Sequence, residues 1–98
     1  MTYYDTGYPG YGACGDQTDG YKVAVVALPW EFMGTLSNTN PFCHRNITIY
    51  YNGTQTNAMV VDKCMGCSGR SIDLSHKAFD ALSSEGIGRT HATWHFID

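Results

Sequence analysis

The sequence predicts a small, mainly β domain that closes into a barrel, carries one main helix and is held together by disulfide bonds. Its 98 residues suit one domain, residues 1–98, because a chain of this length builds a single core. Short alternating or β-branched apolar runs recur along it, and one segment has clear helical spacing. Closure into a barrel is expected because it leaves no strand edge open to aggregation. Four cysteines can staple a core this small.

The first half of the chain predicts two strands separated by a long loop. Thr2–Tyr4 reads as a short strand, and residues 7–20 form a loop with five glycines and one proline. The apolar run Val23–Ala27 predicts a buried strand. Pro29–Met33 predicts one helical turn, since proline suits the first helical position. Residues 37–41 return to loop.

The second half predicts a hairpin, a helix and a closing strand. Residues 47–51 alternate, Asn52-Gly53 is a strong two-residue turn signal, and residues 54–62 resume the β pattern. Residues 75–82 predict a helix with Ser75 as its N-cap, and residues 90–97 predict the last strand. The apolar positions are Ala78, Phe79 and Leu82 in the helix and Ala92, Trp94 and Phe96 in the strand. Trp94 is therefore expected in the core.

The composition argues against nucleic acid and a membrane as partners. The net charge is −3, and the six lysines and arginines are scattered, so no basic stripe is available for phosphates. No apolar run approaches the roughly 18 residues of a membrane-spanning helix. Charged residues make up 15 % and aromatic residues 13 %, which is typical of a compact domain and not of a disordered one.

Cysteines and glycosylation sequons indicate an extracellular protein. Four cysteines in so short a chain are typical of an oxidising compartment. The triplets Asn46-Ile47-Thr48 and Asn52-Gly53-Thr54 predict N-glycosylation at Asn46 and Asn52. Met1 stands almost at the first structural motif, so we expect a mature secreted domain whose leader has been removed.

The cysteines also leave two alternatives open. Cys64-Met65-Gly66-Cys67 has the spacing of half a zinc site, but no second Cys-x-x-Cys follows. His91 and His95 are four residues apart in a predicted strand, where such positions are well separated. The same pair could be a redox centre, although no βαβ pattern surrounds it. We expect structural disulfides, no metal and no cofactor; the residues alone allow three connectivities.

Asp62 and Asp73 are the main functional candidates. Each follows hydrophobic residues, and a loop containing glycines and two cysteines separates them. Carboxylates at the ends of rigid elements can hydrogen-bond sugar hydroxyls, and one can donate a proton to a glycosidic oxygen. The structural alternative is that Asp62 starts a turn and Asp73 caps the following helix.

An ordered set of motifs then points to a known family. The motifs are Thr2-Tyr3-Tyr4-Asp5-Thr6-Gly7, Gly12-Ala13-Cys14-Gly15, Val60-Val61-Asp62-Lys63-Cys64, Ile72-Asp73-Leu74-Ser75 and Thr93-Trp94. In this order they resemble the double-psi β-barrel of expansin-related proteins, most closely the single-domain fungal loosenins. The rare-lipoprotein-A, barwin and glycoside hydrolase family 45 groups are more distant. The resemblance implies a six-stranded double-psi β-barrel with an open groove, and we expect no second, wall-anchoring domain.

The resemblance also implies roles for particular residues. Asp62 and Asp73 match the groove aspartates, and Asp73 matches the general acid of the family 45 hydrolases. Asp5 would be the base, but its motif is one residue short, and such a shift turns a strand side chain to the other face. The further sugar-binding candidates are Tyr4, Tyr8, Tyr11, Trp30 and Thr6. By the same resemblance, Cys14 pairs with Cys43 and Cys64 pairs with Cys67.

The sequence therefore predicts a secreted, monomeric, expansin-like protein that binds cell-wall polysaccharide. Cellulose, chitin or another β-glucan would lie in the groove and be loosened without hydrolysis. One alternative is a protease inhibitor or host-directed effector of the barwin type, whose partner is a protein. Another is an endoglucanase or lytic transglycosylase that uses Asp73 as its acid. Several functions stay open because a fold does not fix a function.

Overall fold

Six strands and two short helices make up the part of the chain that the structure describes. The computed structural model describes residues 1–7, 10–33, 41–67, 69–84, 86 and 90–97. The elements are β1 (Thr2–Tyr3), β2 (Val25–Pro29), α1 (Trp30–Met33), β3 (Asn46–Tyr51), β4 (Thr54–Cys64), β5 (Asp73–Leu74), α2 (His76–Asp80) and β6 (Thr93–Phe96). The strands form one sheet in the order β1-β5-β2-β4-β3-β6. Neither helix has the length or apolar character needed to cross a membrane.

Backbone hydrogen bonds connect the two ends of this sheet. The Met1 nitrogen donates to the Thr90 carbonyl, and the Thr90 N–H donates to the Met1 carbonyl at 3.0 Å. Met1 adjoins β1 and Thr90 lies just before β6, which are the first and last strands in the order. The reciprocal pair therefore closes the sheet, and the predicted barrel is confirmed.

The strand β2 separates the main core from a second, smaller apolar cluster. All five of its residues are buried. Val26 and Leu28 join the main core, which also contains Phe79 and Trp94. Ala27 belongs to the smaller cluster on the opposite face, because successive strand residues point to opposite sides. Trp94 is 4 % exposed, so its predicted core position is confirmed.

The hairpin between β3 and β4 turns at Asn52-Gly53, as predicted. Tyr51 pairs with Thr54, and the turn residues have φ values of +49° and +82°. Positive φ at both central positions is what a type I′ turn requires, and this turn matches the twist of its strands. Asn52 is exposed, whereas Asn46 is half-buried in β3. Glycosylation at either asparagine stays a prediction.

The helix α2 begins at the predicted N-cap and ends earlier than predicted. The Ser75 hydroxyl accepts from the Ala78 N–H at 3.3 Å and donates to the Val23 carbonyl at 2.9 Å. The buried serine thus ties the start of the helix to the segment before β2. After Asp80 the chain tightens, because the Leu82 N–H bonds to the Phe79 carbonyl three residues back. Leu82 consequently lies in a turn outside the helix.

Several predicted boundaries differ from the structure, and one strand was not predicted. The second strand begins at Val25 instead of Val23, whose side chain is 46 % exposed. Pro29 ends this strand and does not open α1, which begins at Trp30. The two-residue strand β5 was missing from the prediction because so short a run carries no period. The last strand covers only residues 93–96 of the predicted 90–97.

Two disulfide bonds form, Cys14–Cys43 and Cys64–Cys67. They are the two pairs that the family resemblance implies. Because the sulfurs of Cys64 and Cys67 are bonded to each other, this pair offers no thiolate to a zinc ion. The second bond closes the turn that leads out of β4.

Candidate functional site

Three neighbouring strands place Asp62 and Asp73 on either side of Ala27. Ala27 of β2 pairs with Asp62 of β4 and also with Asp73 of β5. Paired residues present their side chains on the same face of a sheet, so the two carboxylates and the alanine methyl share one face. The Cα atoms of the aspartates are then separated by two strand spacings, about 9–10 Å. The small Ala27 side chain leaves the space between the carboxylates open.

A β-bulge in β4 puts Asp62 on this face. Val26 pairs with Val60 and Ala27 pairs with Asp62, so Val61 has no counterpart in β2. In an uninterrupted ladder Val61 would oppose Ala27, and Asp62 would point to the other face. The extra residue therefore presents a carboxylate where the unbroken strand would present a valine.

The glycine-rich loop before β2 holds both the bulge and the carboxylate. The N–H groups of Ala13 and Lys63 donate to Asp62 Oδ1, each at 2.8 Å. The Cys14 N–H donates to the Val61 carbonyl at 3.2 Å. Asp62 lies inside β4 and fixes a loop distant in sequence, so the alternative in which it starts a turn is wrong.

Asp73 lies in β5 beside the Cys64–Cys67 disulfide. The N-cap of α2 is Ser75, so the alternative in which Asp73 caps the helix is wrong. Asp73 Oδ2 is 3.3 Å from Cys64 Sγ. A disulfide sulfur carries no hydrogen, so this contact is not an S–H hydrogen bond. The disulfide instead forms a covalent wall beside the carboxylate.

The Tyr4 hydroxyl lies near both carboxylates without a hydrogen-bond partner. The ring packs against Ala27 and the disulfide, and the hydroxyl oxygen is buried and unpartnered among the described residues. Burial, followed by the negative charges of Asp62 and Asp73, raises the pKa of the phenol well above its ordinary range. Tyr4 therefore stays protonated and keeps a hydrogen to donate. An unpartnered buried hydroxyl costs free energy, which a ligand that accepts its hydrogen would recover.

Asp62, Asp73 and Tyr4 line one cavity of about 420 Å³. This volume falls within the range of about 300–1,000 Å³ that is typical of ligand sites. Ala27 lies at the floor, and the disulfide forms part of the wall. Two carboxylates that accept and one phenol that donates suit a ligand rich in hydroxyl groups. We name this the acidic cavity.

The segment that leads to Asp73 is anchored to β6 by Arg70 and Trp94. Trp94 Nε1 donates to the Arg70 carbonyl at 2.8 Å, and Arg70 Nη2 donates to the Trp94 carbonyl. The guanidinium carbon is also 4.1 Å from the centre of the indole ring, a cation–π distance. These contacts fix the chain just before Ser71, which lines the acidic cavity. The sequence reasoning missed Arg70, because nothing near it in sequence signals a partner 24 residues away.

Asp5 and Thr6 lie outside the acidic cavity. Both line a separate cavity of about 160 Å³ that also contains His76. Asp5 Oδ1 accepts from the Gly7 N–H at 2.8 Å, and the Thr6 hydroxyl donates to the Thr18 carbonyl. The structure therefore does not place Thr6 beside Asp73. It also does not place Asp5 in the cavity that Asp62 and Asp73 line.

The predicted sugar-stacking residues are also dispersed. Tyr4 lines the acidic cavity, whereas Tyr11 and Trp30 do not. Tyr11 is 72 % exposed and Trp30 is 45 % exposed, so both rings face solvent elsewhere. Tyr8 lies outside the described residues. Ala27 is the residue that the sequence reasoning missed, and its only signal was its small size inside a run of larger apolar residues.

Comparison with known sequences identifies two fungal relatives, although no protein-family model matches. The chain is 40 % identical over 111 residues to the "Allergen Asp f 7 homolog" of Arthroderma benhamiae. It is 39 % identical over 99 residues to "Allergen Asp f 7" of Aspergillus fumigatus. The two alignments cover 99 % and 98 % of this chain but only 38 % and 35 % of the relatives. The chain thus spans little more than a third of their length.

Two solved structures are similar over the whole chain. The Streptomyces papain inhibitor has a TM-score of 0.90 and 37 % identity, covering 100 % of this chain and 90 % of its own. An Asp-to-Asn variant of the Clavibacter michiganensis expansin, in complex with cellohexaose, has a TM-score of 0.80 and 22 % identity. That match covers 99 % of this chain and 48 % of the expansin, and at this identity it shows the fold alone. Both neighbours are double-psi β-barrels, which confirms the predicted fold class.

Replacing Gly12 with alanine should destabilise the protein. A Cβ at Gly12 would lie 2.9 Å from the Val61 carbonyl oxygen and 3.3 Å from Asp62 Oδ2. The loop would have to move away from the bulge, at a cost of about 1–3 kcal/mol in the free energy of unfolding. Urea denaturation measures this, with Gly66→Ala as the control, since a Cβ at Gly66 meets no atom within 4 Å. Equal stability of the two variants would contradict the close contact between the glycine-rich loop and the bulge.

Replacing Tyr4 with phenylalanine should change how stability depends on alkaline pH. The folded phenol has a pKa above its unfolded value near 10, so its contribution is complete below pH 10 and is lost as pH rises further. Above pH 10 the wild type should lose up to about 1.4 kcal/mol per pH unit more than Tyr4→Phe. At neutral pH the variant should be as stable as the wild type or more so, because it lacks the unpartnered hydroxyl. Urea unfolding between pH 7 and 11 checks both statements, and parallel curves would contradict them.

Proposed function

The chain belongs to the double-psi β-barrel family of the Streptomyces papain inhibitor, and on this premise we propose that it binds cell-wall polysaccharide in the acidic cavity without cleaving it. The ligand class is a β-linked glycan such as cellulose, chitin or another β-glucan. The observation that carries this proposal is the protonated Tyr4 hydroxyl, which has no hydrogen-bond partner among the described residues and shares a cavity with Asp62 and Asp73. A sugar hydroxyl can accept from the phenol and donate to a carboxylate, which satisfies all of these groups together.

The charge of the cavity narrows the ligand class. Asp62 and Asp73 would repel a phosphate or another anion. The apolar surface offered by Ala27 and the disulfide suits the faces of sugar rings, which carry C–H groups. The Clavibacter michiganensis expansin is in complex with cellohexaose on the same fold, which also supports a glycan ligand. The disulfides support a secreted, extracellular setting, and the loosenin-like role belongs to this proposal.

Binding without cleavage is favoured by the position of Asp5. Glycoside hydrolysis generally uses two carboxyl groups that flank the scissile bond. The base implied by the family resemblance is Asp5, which lies at another cavity and accepts a hydrogen bond from Gly7. In the acidic cavity, Asp62 Oδ1 already accepts from two backbone N–H groups, which favours a role as a fixed hydrogen-bond acceptor. A protein that binds one glycan chain displaces the neighbouring glycan chains from it, and this loosens the wall without breaking a covalent bond.

Replacing Asp73 with asparagine should weaken glycan binding about tenfold, because one charge-assisted hydrogen bond becomes a neutral one. Asp5→Asn is the matched control: it makes the same change of charge outside the acidic cavity, and asparagine Oδ1 can still accept from Gly7. The measurement is a pulldown on insoluble cellulose, chitin and peptidoglycan, with a reducing-sugar assay of the supernatant.

Three outcomes of this experiment are informative. Binding that Asp73→Asn weakens and Asp5→Asn leaves unchanged supports the proposal, provided that no sugar is released. Sugar release by the wild type that Asp73→Asn abolishes would instead identify a hydrolase or transglycosylase with Asp73 as its acid. Absence of binding to all three polymers would overturn the polysaccharide proposal.

Inhibition of a cysteine protease is the second candidate function. It is favoured by the 37 % identity to the Streptomyces papain inhibitor over nearly the whole of both chains. The turn closed by the Cys64–Cys67 bond presents Met65, which is 71 % exposed, and a rigid loop loses little entropy on insertion into a cleft. The turn adjoins the acidic cavity, since Met65 and Gly66 also line it.

A titration of papain activity tests this candidate. An inhibitor of this kind should abolish activity near a 1:1 molar ratio, and Met65→Asp should weaken inhibition at least about tenfold by placing a charge in the contact. Val23→Asp is the control, because Val23 is an exposed apolar residue away from the turn. Full papain activity in the presence of excess wild-type protein would exclude this function against papain.

A further inference from the structure

A second cavity lies at the hairpin end of the barrel. Its volume is about 420 Å³, and its lining includes Tyr50, Tyr51, Asn52, His91 and Thr93. We name it the tyrosine cavity. None of its residues belongs to the lining of the acidic cavity, and the proposed function does not use it.

The two tyrosines have different surroundings. Tyr51 packs against the main core, which fixes its ring. Tyr50, the preceding residue in β3, points the other way and is 38 % exposed. Its ring centre is 5.3 Å from that of His95, so a neighbouring ring supports it while part of the residue stays exposed. A tyrosine held in this way offers a flat contact surface at little cost in entropy, which is the property that stacking on a sugar face requires.

A third cavity joins the tyrosine cavity to the acidic cavity. It has a volume of about 220 Å³ and shares Met1, Ser71 and Ile72 with the acidic cavity. It shares His91 and Ala92 with the tyrosine cavity. The connection runs over the seam where Met1 and Thr90 close the barrel. The three depressions therefore form one continuous path over the surface.

The strand β4 gives the scale of this path. Tyr51 pairs with Thr54 at one end of the strand, and Asp62 lies eight residues further along it. At about 3.3 Å per residue this separation is up to about 26 Å, shortened by twist. The longest dimension of the molecule is 34 Å, so the path from Asp62 to the hairpin is long compared with the molecule itself. A disaccharide is too short to reach both, whereas an extended chain of several sugars can.

We propose that the tyrosine cavity binds a sugar ring of the same polysaccharide, several residues along the chain from the part held in the acidic cavity. The inference rests on the proposed function and adds an aromatic subsite to it. The occupant follows from the continuity of the path, since a polymer leaving the acidic cavity over the Met1–Thr90 seam arrives at Tyr50. The acidic cavity supplies hydrogen bonds, and the tyrosine cavity supplies contact area.

The test is calorimetric titration with matched short and long oligosaccharides. The ligands are the dimers and hexamers of the cellulose, chitin and β-1,3-glucan series. The protein is produced without N-glycosylation, because Asn52 lines the tyrosine cavity and carries a sequon. The wild type should bind one hexamer about tenfold or more tighter than its dimer, the scale of an aromatic hot spot. Tyr50→Ala should remove this gain and leave dimer affinity unchanged.

Tyr11→Ala is the matched control, because Tyr11 is an exposed tyrosine that lines none of the three cavities. It should leave both affinities at the wild-type level. A measurement on the wild type makes the test independent of how Tyr50→Ala folds. In NMR spectra, the hexamer should shift the amide signals of Tyr50, His91 and Thr93, and the dimer should not.

The outcomes separate this inference from the proposed function. Equal affinity for dimer and hexamer, or hexamer binding unaffected by Tyr50→Ala, would overturn the tyrosine subsite and leave the acidic cavity as the binding site. Dimer binding lost in Asp73→Asn would confirm that the acidic cavity is in use. Wild-type protein that binds no oligosaccharide of either length would overturn both proposals.

Discussion

The arrangement of the candidate site depends on the hydrogen bonds between the glycine-rich loop and the bulge of β4. The N–H groups of Ala13 and Cys14 bond to Asp62 Oδ1 and to the Val61 carbonyl. The bulge turns Asp62 toward Ala27, and the loop stabilises the bulge by satisfying the carbonyl that the interrupted ladder leaves over. The approach has to be close, which is why a side chain at Gly12 would collide with both partners. Loop, bulge and carboxylate therefore form one unit, in which no part keeps its geometry without the others.

The two aspartates contribute differently to fold and function. Asp62 is a structural acceptor for two backbone N–H groups and also lines the cavity, so removing its side chain disturbs the loop as well as the cavity. Asp73 lies on a two-residue strand whose pairing with β1 and β2 fixes it through the backbone. Tyr4 adds a hydroxyl that lacks a hydrogen-bond partner in the described structure. Proteins retain groups that lower stability mainly at functional sites, so this hydroxyl supports the proposed ligand site.

Much of the fold could be predicted from the sequence, because local chemistry determines those parts. Asn52-Gly53 specifies a type I′ turn, and Ser75 caps α2, each within a few residues. The placement of Asp62 could not be derived in this way. Val60 and Val61 are both buried, so alternation alone does not tell that Asp62, and not Val61, pairs with Ala27. The bulge depends on a loop about 50 residues earlier. The position of Asp5 and Thr6 outside the acidic cavity likewise depends on tertiary packing. The motif around Asp5 is one residue short, and this was the sign in the sequence that Asp5 does not face the other aspartates.

Each carboxylate of the acidic cavity has a disulfide next to it. Cys14 follows Ala13, the residue that donates to Asp62, and Cys64 Sγ contacts Asp73 Oδ2. By loop length alone, the Cys14–Cys43 bond, which spans 29 residues, should contribute about 3–4 kcal/mol, and the Cys64–Cys67 bond about 2 kcal/mol. The second bond contributes less to the stability of the chain, yet it forms the wall beside Asp73 and keeps the Met65 turn rigid. Its position is therefore explained better by the geometry of the site than by the stability of the barrel.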